Sequence, residues 1–160
     1  MLDDSSSGSQ FKPLLGTDEA TIDDKGRILV GKKKRERLGD NFAMAFSESG
    51  CLAAYPERTF RKICNDLESS PNINLGRLQY ARLVMGTADD ELSFDGQGRV
   101  VVPQKLRELG KLVDKVVLVG AYDRLEIWAK AEWDKYVEDP DGYGRQRIEA
   151  INKALQTMKS

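Results

Sequence analysis

Short apolar runs separated by turn-forming residues dominate the chain: Ile28-Leu29-Val30, Phe42 to Phe46, Leu52 to Tyr55, Val100-Val101-Val102, Val116 to Val119 and Leu125 to Trp128. Each is too short for a helix and is bounded by Gly, Asp, Ser or Pro, so each predicts a strand. Phe42 to Phe46 and Leu52 to Tyr55 predict a hairpin around Ser49-Gly50. Val116 to Val119 and Leu125 to Trp128 predict a second one around Tyr122-Asp123. Helical spacing appears elsewhere. Pro56 suits a first helical position, and Phe60, Ile63, Cys64 and Leu67 follow at i, i+3, i+4 and i+7. Ser69-Ser70-Pro71-Asn72 breaks that helix, and Leu75, Leu78, Ala81 and Met85 predict a helical stripe beyond it. After the loop Glu138-Asp139-Pro140-Asp141-Gly142, the residues Ile148, Ile151, Leu155 and Met158 predict the apolar face of a last helix, which must be covered.

The strand pattern occurs twice. Asp23-Asp24-Lys25-Gly26-Arg27-Ile28-Leu29-Val30 returns 72 positions later as Asp95-Gly96-Gln97-Gly98-Arg99-Val100-Val101-Val102. Lys33, Arg35 and Glu36 stand opposite Lys105, Arg107 and Glu108 at the same offset, in what should be a short helix. After a slip of one residue, Leu52 to Tyr55 aligns with Leu125 to Trp128, and Phe60 with Trp133. The spacing within D-x-x-G-R has a physical meaning. An aspartate that opens a turn accepts from the backbone two residues ahead, and a glycine three residues later takes the left-handed conformation that closes it. Asp23, Gly26, Asp95 and Gly98 are therefore the turn-forming residues, and Arg27 and Arg99 follow at the first strand position after a rigid corner.

Composition narrows the function. The chain has 160 residues, no histidine, two cysteines and a formal net charge of −1. Without histidine the usual general base and neutral metal ligand are missing, which counts against an enzyme. Cys51 and Cys64 are not in a CxxC spacing and fall in apolar patterns, so both are expected in the core. No apolar stretch is long enough for a membrane span, and a cytoplasmic setting is expected. Residues 1–10, rich in Ser and Asp, have too few apolar groups to offset ordering and are expected to form a flexible tail.

The net charge hides a local one. From Asp23 to Leu38 there are seven cations (Lys25, Arg27, Lys32, Lys33, Lys34, Arg35 and Arg37) against three anions. The matching stretch of the second copy holds three cations against two anions. Such a patch suits DNA. Lys and Arg neutralise phosphates and release counterions, and arginines held at fixed corners can read base edges. Arg27 and Arg99 are the candidate base readers, with Lys25, Lys32, Lys33, Lys34, Arg35 and Arg37 on the phosphates. Two plainer readings stay open: the hairpin arginine can simply pair with its own aspartate, and a lysine run can be a solvated helix face. Catalytic alternatives are poor. Asp89-Asp90-Glu91 and Asp139-Pro140-Asp141-Gly142 lack the spacing of a calcium loop, and Gly96-Gln97-Gly98 precedes a strand rather than the helix of a phosphate loop. Neither metal nor cofactor is expected.

With these motifs in place, residues 14 to 137 resemble the MraZ family, whose members carry two tandem D-x-x-x-R hairpin domains. The resemblance rests on Leu15-Gly16, on the two D-x-x-G-R copies, on Val117-Leu118-Val119-Gly120 and on Glu126-Ile127-Trp128. It implies an α+β fold of two tandem AbrB/MazE-like β-hairpin units forming a small pseudo-twofold β-barrel with flanking helices. The expected partition is a tail (1–13), a first domain (17–59), a helical connector (60–88), a second domain (89–132) and a C-terminal helical segment (133–160). It also implies a nucleoid-associated regulator that binds double-stranded DNA at short repeated sites upstream of a division and cell-wall gene cluster including its own gene, assembled as a homo-oligomeric ring. A protein-interaction module of antitoxin type is the alternative. Gly31 stands where the second copy has Pro103, and a looser start of the first short helix is expected from it.

Overall fold

In the computed structural model, which describes residues 11–159, the apolar runs become strands and the periodic segments helices. In chain order the elements are β1 (Thr17–Thr21), β2 (Arg27–Leu29), α1 (Lys32–Leu38), β3 (Phe42–Phe46), β4 (Leu52–Pro56), α2 (Glu57–Glu68), α3 (Leu75–Leu83) and a 3-10 turn (Met85–Thr87). Then follow β5 (Asp89–Leu92), β6 (Arg99–Val101), α4 (Gln104–Leu109), β7 (Lys115–Gly120), β8 (Leu125–Ala129), α5 (Lys130–Glu138) and α6 (Arg145–Lys159). The fold is α+β, with an antiparallel six-stranded sheet in the order β1-β7-β8-β4-β3-β5 and a separate ribbon of β2 and β6.

The strand order shows that the two copies exchange strands. β1 of the first copy pairs with β7 of the second, and β5 of the second pairs with β3 of the first. The register shows the symmetry behind this. Ile28 lies opposite Val100 in the ribbon, and Ala53 lies opposite Glu126 in the sheet, so each residue faces its own repeat equivalent. A residue can meet its own equivalent only near a twofold axis. That axis therefore runs through both β2·β6 and β4·β8.

Period-two alternation sends side chains to opposite faces of the sheet, and here both faces are covered. Phe42, Met44, Leu52, Ala54, Val116, Leu118, Leu125 and Ile127 face the main core, which also takes Ile28 and Val100 from the ribbon and Leu38 and Leu106 from α1 and α4. On the reverse, Ala43, Ala45, Ala53 and Tyr55 pack against Tyr80, Val84, Ile151 and Ala154, so α3 and the sheet cover the expected apolar face of α6. Cys51, Val117 and Trp128 form a third cluster with Trp133, Tyr136 and Tyr143.

Three expectations change. The inward face of α3 is Gly76 and Tyr80, continuing to Val84, while Leu75 and Leu78 point outward at 76% and 42% exposure. Close helix approach at Gly76 sets the face, and the aliphatic count along α3 does not. Cys64 is exposed, because α2 turns Thr59, Phe60, Ile63 and Leu67 inward and leaves position 64 just beyond them. Gly31 does not loosen α1: its φ of −61° and ψ of 152° nearly match the −53° and 142° of Pro103 before α4. The expected tail falls mostly outside the described residues. Of its described part, Phe11 meets the Tyr122 ring edge-on at 5.3 Å, and the Pro13 carbonyl accepts from Arg37.

Burial and a 3.4 Å contact with the Ser47 hydroxyl separate the two thiols, and burial pushes the Cys51 thiol well up. A thiol reagent should therefore label Cys64 in the native protein and Cys51 only after unfolding. Two thiols reacting at one rate in native buffer would contradict this placement.

Candidate nucleic-acid interface

Each D-x-x-G-R segment folds as its spacing requires. The Asp23 carboxylate accepts from the backbone N–H of Lys25 and of Arg27, both at 2.9 Å, and Asp95 does the same for Gln97 and Arg99. Gly26 and Gly98 close the two turns at φ of +81° and +82°, where a Cβ would clash with the following carbonyl. These backbone bonds, joined by the arginine side chains, hold both carboxyls below their ordinary value against the opposing effect of partial burial. The sign follows. Such a group stabilises the turn above its unfolded pKa, and that contribution disappears as pH falls through the lower folded value.

The second oxygen of each aspartate takes the arginine. Arg27 Nε donates to Asp23 at 2.7 Å and Arg99 Nε to Asp95 at 2.9 Å, with both arginine side chains 31% exposed. Among the described residues the pairing uses Nε alone, so it steers the guanidinium without covering its far end. Chain-turning and presentation are thus compatible. In the ribbon, Ile28 and Val100 face the core, which leaves Arg27 and Arg99 together on the opposite, outward face. Two cations 72 positions apart in sequence become diagonal neighbours on one two-stranded surface.

The helices lock the turns crosswise. Val30 N–H donates to the Gly98 carbonyl at 3.1 Å and Val102 N–H to the Gly26 carbonyl at 2.8 Å. A Cβ on Gly98 would come within 2.6 Å of the Arg35 guanidinium, and one on Gly26 within 2.8 Å of that of Arg107. Each short helix therefore lays an arginine against the other copy's turn. Arg35 also donates to the Val30 carbonyl at 2.5 Å.

The expected cations separate into two groups. Lys25, Lys32 and Lys33 are exposed next to the motif. Lys34 is buried, with its ammonium on Asp18 of β1 at 2.5 Å. Arg35 lies beneath the Gly98 turn, and Arg37 donates to the Pro13 carbonyl at 2.6 Å. These last three tie the first turn region to its surroundings. Arg107 is a turn partner that the sequence signals only through its match to Arg35 in the repeat. Arg147 donates to the carbonyls of Phe46, Ser47 and Leu83 at 2.7 Å each and stacks on Phe46. No local pattern marks that residue. Among the described residues, no group of three His, Cys, Asp or Glu side chains could hold a metal, and no helix is long and apolar enough to cross a membrane.

The family model described as "MraZ protein, putative antitoxin-like" matches residues 14–76 and 85–145, one region for each repeat. The chain is 35% identical over 137 residues to the transcriptional regulator MraZ of Desulforamulus reducens, covering 86% of this chain and 96% of that protein. It is 36% identical over 124 residues to that of Clostridium acetobutylicum, covering 78% and 87%. To that of Pediococcus pentosaceus it is 34% identical over 127 residues, covering 79% and 88%. Regulation of transcription, the role named for these relatives, is non-enzymatic. With both repeats matched and nearly the full length of these relatives spanned, the chain belongs to the MraZ family.

Proposed function

We propose that this protein is a DNA-binding regulator of transcription that reads double-stranded sites with the outward face of the β2–β6 ribbon. The observation that carries the reading is the meeting of Arg27 and Arg99 on that face, each steered through Nε by its own turn aspartate. A two-stranded ribbon fits the major groove, and an arginine there can bond guanine through two nitrogens. Lys25, Lys32 and Lys33 take phosphates; Lys34, Arg35 and Arg37 hold the turn region in place. On this reading the ribbon and the six-stranded sheet together form the small pseudo-twofold barrel that the resemblance implies, with the axis passing between the two arginines.

A net charge of −1 leaves one protomer with a modest patch, so affinity at physiological salt comes from several patches presented together. A homo-oligomeric ring on short repeated sites provides that. In a cell the setting is the cytoplasm, on the nucleoid, at a division and cell-wall gene cluster that includes the protein's own gene. Selection of bound fragments from random DNA tests the reading: recovery of a recurrent short motif supports it, and unenriched DNA overturns it. The antitoxin-like wording of the family description favours a second reading, a protein partner on the same surface. Copurification of a small toxic protein that DNA fails to displace selects that one.

The exposed lysines allow a separate check. Lys33→Ala should weaken binding equally for all sequences and reduce the slope of log affinity against log salt by about 1, since one phosphate contact is lost. Lys34→Ala should leave that slope unchanged and lower thermal stability instead, because its ammonium serves Asp18.

A further inference from the structure

The outward ribbon face carries more than two arginines. Period-two alternation places Leu29 beside Arg27 and Val101 beside Arg99, and these two aliphatic side chains are 59% and 52% exposed. The register sets each directly across from the other strand's arginine: Arg27 opposite Val101, and Leu29 opposite Arg99. Side chains so paired on one face are neighbours, about 5 Å apart at Cβ. The exposed surface at the pseudo-twofold axis is thus a checkerboard of two guanidiniums and two branched hydrocarbons. Core packing does not require it, since Ile28 and Val100 already supply the ribbon's inward face.

Resting on the reading of this ribbon as the DNA-contacting face, we infer that Leu29 and Val101 are specificity-determining residues that recognise the C5-methyl groups of thymines flanking the bases read by Arg27 and Arg99. The methyl is the one apolar group that the major groove displays, and it distinguishes thymine there. Cations alone cannot detect it. The arginines bring the ribbon against a polyanion, so water leaves the hydrocarbons only where a methyl replaces it. The alternating order then reads an alternating one, a guanine edge next to a thymine methyl.

Deoxyuridine in place of thymine removes the methyl and nothing else, and this makes a clean test on duplexes selected from random DNA. Wild-type affinity, measured by fluorescence anisotropy, should fall about three- to fivefold for each contacted thymine replaced, as expected for one methyl-sized burial. Leu29→Ala and Val101→Ser should each bind the thymine and deoxyuridine forms of one position equally, because the first withdraws its hydrocarbon from the groove and the second has no γ-methyl to offer the thymine. Equal wild-type affinity for both forms at every position overturns the inference and leaves DNA binding standing, as does a selected motif without a recurrent thymine. If no duplex is enriched at all, the DNA reading itself fails. A loss of protomer association in Leu29→Ala, with thymine discrimination intact, also overturns it and places the residue between protomers.

Discussion

The Arg27→Ala, Arg99→Ala double variant should bind a selected duplex about a hundredfold or more weaker than wild type while melting within a few degrees of it. Each guanidinium that reads a base edge is worth about 1–3 kcal/mol, and each 1.4 kcal/mol is a factor of ten in affinity. Stability is little affected because the ion pairs removed are partly exposed, and such pairs contribute little. The turns themselves stay closed. Asp23 and Asp95 keep their backbone partners, and Gly26 and Gly98 keep the left-handed conformation. Titration by anisotropy and melting by circular dichroism separate the two effects. Retained affinity would show that these arginines serve only their own aspartates.

Gly76→Val should do the reverse, lowering the melting temperature by about 6–12 °C while folded molecules bind DNA as before. Gly76 lies where α3 crosses α6, and a Cβ there would sit 2.3 Å from the Ala154 carbonyl oxygen and 2.7 Å from the Thr157 Cβ. The oxygen belongs to the backbone of α6 and cannot swing aside. The helices must part, and Tyr80, Ile151 and Ala154 lose packing together. Overpacking of this kind costs about 3 kcal/mol or a little more, against a few tenths gained from replacing glycine in a helix. In a chain of this size each kcal/mol is worth about 2–4 °C. An unchanged melting temperature would mean that the seam yields. The seam lies on the far face of the sheet from the ribbon, so binding at low temperature should not change.

Turn chemistry made the two corners legible in the sequence, though not the pairing of β2 with β6 across the copies. Asp23 with Gly26, and Asp95 with Gly98, each act within one four-residue turn, whereas the pseudo-twofold arrangement was implied only by the family resemblance. The hairpins around Ser49-Gly50 and Tyr122-Asp123 were legible for the same local reason. Non-local partners were not. The residues that Lys34, Arg35, Arg107 and Arg147 touch come from another copy or element, and nothing in their neighbours distinguishes a buried cation from a solvated one. β1 was faint because Asp18 and Glu19 give an edge strand little apolar alternation, as suits a strand with one open side. On α3 the deciding residue was a glycine, whose contribution is close approach and not hydrocarbon.

Charge and geometry make separable demands on the ribbon. Lysines at both positions keep the charge and lose the planar fork that bonds a base through two nitrogens. The decisive quantity is therefore the ratio of affinities for a selected duplex and a scrambled duplex of equal composition, measured in one salt for wild type and for the Arg27→Lys, Arg99→Lys variant. The expected result is a ratio at least tenfold lower in the variant, with affinity for the scrambled duplex nearly unchanged. An undiminished ratio would contradict base reading from the two turns and leave the arginines as point charges on a chain-turning device.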